Sequence, residues 1–259
     1  MRVMPSNLIT LVRGLQQRKA RRRRGLAVAE GVRLVEEALA ADITFRGVVA
    51  SKALAASPRG AALLRALADR AVPVEEVSER QLEEIADTDT PQGIVAVLEP
   101  RRWTLADVRP QPGAPAIVLD GVQDPGNVGT LLRTAFALGA AGAVLLPGTA
   151  DPDNPKVLRA AMGATFRLPT AIAADGELRK WAGELGVAFW VTATEGTPLG
   201  RLRPPERLAV VVGNEGAGVR PAVRELAAES VAVPLARGAE SLNVAVAAGI
   251  ILHEVRRAL

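Results

Sequence analysis

Ala116-Ile117-Val118-Leu119-Asp120-Gly121-Val122-Gln123-Asp124-Pro125-Gly126-Asn127-Val128-Gly129-Thr130 is the stretch on which the fold turns. Its first five residues are an apolar run too short for a helix, and they read as a buried strand. A Gly/Pro/Asn loop follows, and a helix then runs from about Asn127 to Leu138, carrying Arg133. Strand, tight loop and helix in this order are the repeating unit of a parallel α/β sheet. The same alternation continues downstream, with strands expected at Ala143–Leu146, Val187–Ala193, Leu208–Val212 and Val231–Val233. Helices are expected at Pro155–Met162 and Asp175–Leu185, in a short piece around Glu225, and at Asn243–Arg257. In such a sheet, ligands bind at the carboxyl ends of the strands.

Upstream, residues 100–115 hold Pro100, Pro110, Pro112 and Pro115 without apolar periodicity, and so read as a linker. The expected domains are therefore 1–99 and 116–259. The first reads as a small α/β unit. A helix over 6–19, with Ser6 placed to cap it, precedes a strand at 25–29. Helices at 30–41, 59–70 and 78–86 alternate with strands at 43–50, 72–77 and 93–98. The pair Ser78 and Gln81 has the spacing of a capping box.

Residues 1–33 carry Arg2, Arg13, Arg18, Lys19, Arg21, Arg22, Arg23, Arg24 and Arg33 against the one acid Glu30, a local charge of +8. The whole chain is +4, so the remainder is −4. Arginine codon preference explains the residue type but not the clustering. Such a cluster suits a polyanionic partner, with Arg18, Lys19 and Arg21–Arg24 as candidate nucleic-acid contacts.

Composition excludes several chemistries. There is no cysteine, hence no disulfide, no cysteine metal site and no thiolate nucleophile. His253, the only histidine, falls in the expected C-terminal helix, so neither a histidine zinc site nor a Ser-His-Asp triad is expected. The longest apolar stretch, Val244–Leu252, is too short to span a membrane, and no secretory signal is read at the N-terminus. A cytoplasmic protein without bound metal is expected. Aromatic residues make up 3% of the chain and tyrosine is absent, which argues against single-strand recognition by base stacking.

Two further motifs lie at expected strand ends. Val210-Val211-Val212-Gly213-Asn214-Glu215-Gly216-Ala217-Gly218-Val219 is glycine-rich but fits neither G-x-G-x-x-G nor the P-loop pattern. A carboxylate there would repel phosphate, so Glu215 suits hydroxyls, amides or a cation such as a sulfonium or Arg133. In Val233-Pro234-Leu235-Ala236-Arg237-Gly238-Ala239-Glu240-Ser241-Leu242-Asn243-Val244, either Ser241 or Asn243 can cap the last helix. Taken singly, each of the three motifs reads equally well as a capped turn.

Together, in this order, they resemble the SpoU (TrmH-like) branch of the SPOUT RNA methyltransferases. Asn127, Gly129 and Arg133 match its N-x-G-x-x-x-R pattern. Gly213, Glu215, Gly216 and Gly218 match its G-x-E-G-x-G pattern, and Pro234 with Ser241–Val244 matches its P-x6-S-L-N-V pattern. Upstream, Glu30-Gly31 and Thr88-Asp89-Thr90-Pro91-Gln92-Gly93 resemble the family's N-terminal substrate-binding domain.

The resemblance implies a C-terminal parallel-sheet domain with a trefoil knot and a ribosomal-protein-like N-terminal domain. It also implies a homodimer with sites near the subunit interface, and transfer of a methyl group from S-adenosylmethionine to a ribose 2′-hydroxyl. Arg133 would act on that hydroxyl, and stabilising alkoxide charge is easier for a guanidinium than accepting a proton. Asn127, Glu215, Ser241 and Asn243 would complete the catalytic group. Thr194, Gly213, Val233, Leu235, Leu242 and Asn243 would border the cofactor. The N-terminal domain points to 23S rRNA; the alternatives are tRNA methylation and a non-catalytic RNA-binding protein of the same fold.

Overall fold

A computed structural model describes residues 8–258. Ser6 and Arg2 lie outside them. In chain order the elements are α1 (Leu8–Leu15), α2 (Arg18–Arg24), β1 (Ala27–Glu30), α3 (Val32–Ala40), β2 (Thr44–Ser51), α4 (Pro58–Asp69), β3 (Val74–Val77), α5 (Glu79–Glu83) and β4 (Ile94–Glu99). There follow β5 (Ala116–Asp120), α6 (Pro125–Ala137), β6 (Gly142–Leu145), α7 (Pro155–Ala161), β7 (Thr170–Ile172), α8 (Asp175–Leu185) and β8 (Ala188–Pro198). The last are β9 (Leu208–Gly213), α9 (Pro221–Arg224), β10 (Ala227–Ala232) and α10 (Val244–Arg257). Two compact units result: residues up to Arg101 with Asp153–Phe166, and Arg102–Pro152 with the chain from Arg167 onward.

The first unit is built on a four-stranded sheet of order β1-β4-β2-β3. Its β2–β3 pair is parallel, and β4 runs antiparallel to both β1 and β2. Leu34, Val35, Leu63, Leu67 and Ile94 form part of one buried cluster, which Leu158 and Phe166 join from much later in the chain. α7 therefore belongs to this unit. The expected single helix over 6–19 is instead two helices separated at Gln16-Gln17, and α2 is closed by Gly25 in the left-handed conformation (φ 67°). The Ser78–Gln81 capping box forms as expected.

Glu30 is buried and accepts the Asp87 amide at 2.7 Å and the Thr88 hydroxyl. Arg159 bonds Asp87 at 2.5 Å and lies 3.8 Å from Glu30. Gln92 Oε1 accepts from Val32 N at 3.1 Å. The two upstream segments, Glu30-Gly31 and Thr88–Gly93, are thus joined.

The second unit holds a six-stranded sheet of order β10-β8-β9-β5-β6-β7, and each neighbouring pair is parallel. The central strands β5 and β9 are buried along their whole length, as expected of a parallel sheet covered on both faces. Strand β7 was not expected from the sequence; it is three residues long, below what periodicity can show. Conversely β8 extends to Pro198, well past the expected Ala193, because its outer end pairs with β10. Its Thr197 lies beside Val231.

Candidate active site

The site is assembled where β5, β9 and β10 end. Asp120 and Gly213 are partners in the β5–β9 ladder, so the loops that follow them leave the sheet side by side. The loop after β5 feeds α6, which is capped by Asp124: its Oδ1 accepts from Asn127 N at 2.7 Å. Asn127, expected near the cap position, is therefore inside the helix with its amide side chain released for another task.

That task is a bridge. Asn127 Nδ2 donates to Glu215 Oε1 at 3.0 Å, and Asn127 Oδ1 accepts from Asn243 Nδ2 at 3.0 Å. A carboxylate accepts only, which fixes the orientation of the Asn127 amide. One residue from each motif is thus bonded into a line, Glu215–Asn127–Asn243, across 88 and 116 positions of sequence.

Glu215 also accepts from the amides of Gln123 at 3.3 Å and Asp124 at 3.4 Å. Partial burial pushes its pKa up, but hydrogen bonds from the Asn127 side chain and from backbone amides outweigh this and hold it below the usual glutamate value. A carboxylate held ionised by three hydrogen bonds is a poor general base and a good fixed anchor. It takes no bond from Arg133, one of the partners expected for it.

The 214–219 loop is held rigidly. Asn214 and Gly218 exchange backbone hydrogen bonds at 3.0 and 2.9 Å. The Asn214 side chain donates to Gly121 O at 3.0 Å and accepts from the amides of Gly216 and Ala217. Gly213 has no room for a side chain: a Cβ there would lie 2.2 Å from the Gly218 carbonyl carbon. At the loop's exit, Arg220 donates through its backbone N and its Nε to the two oxygens of the fully buried Asp120, at 2.7 and 2.6 Å. Its Nη atoms form a two-pronged contact with Asp175 at 2.7 and 3.1 Å. Hydrogen bonds to Asp175 raise the Arg220 pKa above its ordinary value, with Asp120 adding to the effect against partial burial.

Of the two possible caps for α10, Asn243 is the one used: its Oδ1 accepts from Ala245 N and Val246 N. Ser241 is exposed just before it. Leu235 and Leu242 are large apolar side chains left exposed in the segment between β10 and α10. Val233 is half-buried immediately after β10, and Thr194 is exposed in β8.

Arg133 stands on the exposed face of α6 with Thr130 and Phe136, without a hydrogen bond or ion pair among the described residues. In the basic helix α2, Arg18, Lys19, Arg22, Arg23 and Arg24 are exposed. Arg21 is 2% exposed and points inward, donating from Nη1 to Leu15 O at 3.0 Å and Gln16 O at 2.8 Å. It fastens α2 to α1 and is not part of the basic surface. The pairing of Asp120 and Asp175 with Arg220 has no counterpart in the sequence reading, because residues 100 and 45 positions apart carry no local signal.

A model of the SpoU rRNA methylase family matches residues 114–253, just over half of the chain. The chain belongs to the SpoU rRNA methylase family. Residues 7–96 match the MRM3-like substrate binding domain. The chain is 37% identical to the Bacillus subtilis protein named 23S rRNA (guanosine(2553)-2′-O)-methyltransferase RlmP, over 93% of each chain. Among solved structures, it is similar to the AdoMet-bound rRNA methyltransferase of Sinorhizobium meliloti, with a TM-score of 0.86 and 32% identity over 99% of this chain and 97% of that one. The SpoU methyltransferase AviRb of Streptomyces viridochromogenes, solved with the cofactor AdoMet, also gives a TM-score of 0.86, at 27% identity over 97% of both chains. The SpoU motifs read from the sequence are thus the three segments that meet around Asn127.

Proposed function

We propose that this SpoU-family chain methylates a ribose 2′-hydroxyl of 23S rRNA, with S-adenosylmethionine as methyl donor. The observation that carries the reading is the bonded line Glu215–Asn127–Asn243 at the carboxyl edge of a parallel sheet. Similarity to a named 23S rRNA 2′-O-methyltransferase along nearly the whole chain supports it.

The residues at the strand ends fit the cofactor. Exposed Leu235 and Leu242, in the segment between β10 and α10, would offer apolar cover for a purine ring, with the strand-end backbone at Gly213 and Val233 supplying its polar contacts. No lysine-bearing phosphate loop is present, and none is needed for an adenosine without phosphate. When bound, the cofactor supplies a methyl group on a positively charged sulfur, whose departure is easy without metal or covalent catalysis. Among the described residues, no group of three His, Asp or Glu side chains is placed to hold a metal ion.

The chain's own side chains position and polarise. With Glu215 on one side of Asn127 and the α10 cap on the other side of Asn243, each of these two amides keeps one N–H to donate to a ribose or phosphate oxygen. Arg133, without an ion-pair partner, is the cation available to an alkoxide developing on the ribose. Thr194 and Ser241 complete the rim.

The active form is a homodimer. Phe136 on α6, and Val246 and Ile250 on α10, are exposed apolar side chains on two helices that pack together. Arg133 lies one turn from Phe136, so pairing through this face brings Arg133 to the subunit boundary. Exposed cations of α2 supply phosphate contacts. The MRM3-like domain is the reason for preferring 23S rRNA to tRNA. No helix among the described residues is long and apolar enough to cross a membrane, and the cytoplasm is where an rRNA substrate would be met.

The test is calorimetry with S-adenosylmethionine, followed by transfer of its labelled methyl group to 23S rRNA and to tRNA transcripts. Binding with transfer to 23S rRNA is expected. Binding without any transfer would point to a non-catalytic RNA-binding protein, and transfer to tRNA alone would replace the substrate.

A further inference from the structure

We propose that Arg220 is a positioning residue for methyl transfer, acting through Glu215: it ties the 214–219 loop to the end of β5 and so holds the Glu215 carboxylate against Gln123, Asp124 and Asn127.

Three observations support this. The first is where Arg220 attaches. Asp120 is the last residue of β5, is fully buried, and is the ladder partner of Gly213, from which the loop departs. The loop therefore starts and finishes at the same pair of strand ends. Its base is closed by the Asn214–Gly218 backbone bonds, its inner flank by Asn214 on Gly121 O, and its exit by Arg220 on Asp120. Glu215 is carried on the span between these ties.

The second is the use of one guanidinium for two carboxylates. Nε faces Asp120 and the two Nη atoms face Asp175 at the first position of α8. A planar fork fixes direction in a way that a lysine ammonium cannot.

The third is the nature of the pair. Asp120 is fully buried while the Arg220 and Asp175 side chains are partly exposed, and an ion pair that takes a carboxylate out of water is a poor source of stability. Here it lies under the loop that carries Glu215 and next to the loop that carries Asn127. Geometry is what it can supply. Asp120, at the end of the Ala116–Asp120 strand, is thereby given a purpose that its place in the first motif alone did not reveal.

The proposal rests on the methyltransferase reading, and its test separates the two. Arg220→Lys keeps a cation beside Asp120 but removes the fork, and an unchanged circular dichroism spectrum and cooperative melting are the check that the fold is kept. One arm follows the Glu215 carboxyl by carbon NMR. In the wild type it is expected to titrate below the ordinary glutamate value, and in Arg220→Lys to move up towards that value as its hydrogen bonds loosen. The other arm measures methyl transfer to 23S rRNA. Arg220→Lys is expected to lower the saturated rate about tenfold while leaving KM for S-adenosylmethionine within about threefold. In a Glu215→Gln background the same change should cost less than about twofold, because the residue it acts through has already been altered. An unchanged Glu215 titration would overturn the proposal, as would rate losses that multiply in the double variant. If the wild type transfers no methyl to 23S rRNA, the functional reading fails, and the Glu215 titration still decides the role of Arg220.

Discussion

Replacing Gly213 by alanine adds a single methyl group at the point where β9 turns into the Glu215 loop. An ideal Cβ there would stand 2.2 Å from the Gly218 carbonyl carbon, 2.3 Å from Val219 N and 2.5 Å from Gly218 O. All three are backbone atoms, so no rotamer change relieves the overlap, and ordinary van der Waals separation needs the 213 and 218 backbones to part by about 1 Å. Overpacking of this kind costs about 1–3 kcal/mol. Parting the two backbones by that much also breaks the two Asn214–Gly218 backbone bonds, each contributing about 1 kcal/mol. The expected loss is then about 3–5 kcal/mol, a fall in melting temperature on the order of 10 °C for a unit of this size. Gly216 is the matched control. A Cβ there meets nothing nearer than Asn214 Oδ1 at 3.7 Å, so Gly216→Ala should stay within about 0.5 kcal/mol of wild type. Thermal unfolding followed by circular dichroism compares all three proteins. If Gly213→Ala melted with Gly216→Ala, the tight closure of the loop, and the positioning of Glu215 argued from it, would be wrong.

Arg133→Ala should leave S-adenosylmethionine affinity largely intact in calorimetry and lower the methylation rate about 100-fold or more, the scale of removing one preorganised charge from the transition state. Because the folded-state pKa of Glu215 is depressed, its contribution to stability is complete above the ordinary carboxylate range and is lost as pH falls through the folded value. Denaturant unfolding should therefore show Glu215→Gln destabilised relative to wild type at pH 7, with the gap closing in acid. Alanine at Arg22, Arg23 and Arg24 should weaken RNA binding and flatten its salt dependence by about 0.7–0.9 units of slope for each phosphate no longer neutralised. Arg21→Ala should instead lower stability by about 1.5–3 kcal/mol by removing its bonds to Leu15 O and Gln16 O, a contrast that filter binding and melting curves read directly. If the protein pairs as proposed, Ile250→Asp should sediment as a monomer where the wild type sediments as a dimer, since it places a charge on the exposed apolar face of α10; a monomeric wild type would contradict the proposed pairing.

What could be read in advance depended on the range of each interaction. Strand β5 and helix α8 were legible because their determinants, an apolar run and a helical period, lie within a few residues; the α10 cap was narrowed only to Ser241 or Asn243, and the structure uses Asn243. The α6 cap went to Asp124 and not to Asn127, because the helix already begins at Pro125, a residue suited to the first helical position, and this released Asn127 for the site. Arg21 shows where composition misleads. In a run of four arginines, only the helix phase decides which one turns inward to the carbonyls of Leu15 and Gln16. Leu158 and Phe166 carry no mark of the unit they pack in, because apolar periodicity says that a face is buried and not against what. The Arg220–Asp120–Asp175 group was invisible because its members lie 100 and 45 positions from Arg220. The three motif segments were found as a pattern; that they are bonded through Asn127 became visible only in three dimensions.

The central claim is methylation of a ribose 2′-hydroxyl, and it is tested most directly on the RNA. 23S rRNA is incubated with the purified protein and S-adenosylmethionine and then hydrolysed in alkali, which needs a free 2′-hydroxyl to cut the chain. One new position resistant to cleavage, absent when the cofactor is omitted and appearing about 100-fold more slowly with Arg133→Ala, is the predicted result. Incorporation of the methyl group with an unchanged alkaline ladder would place it on a base, and would contradict the account.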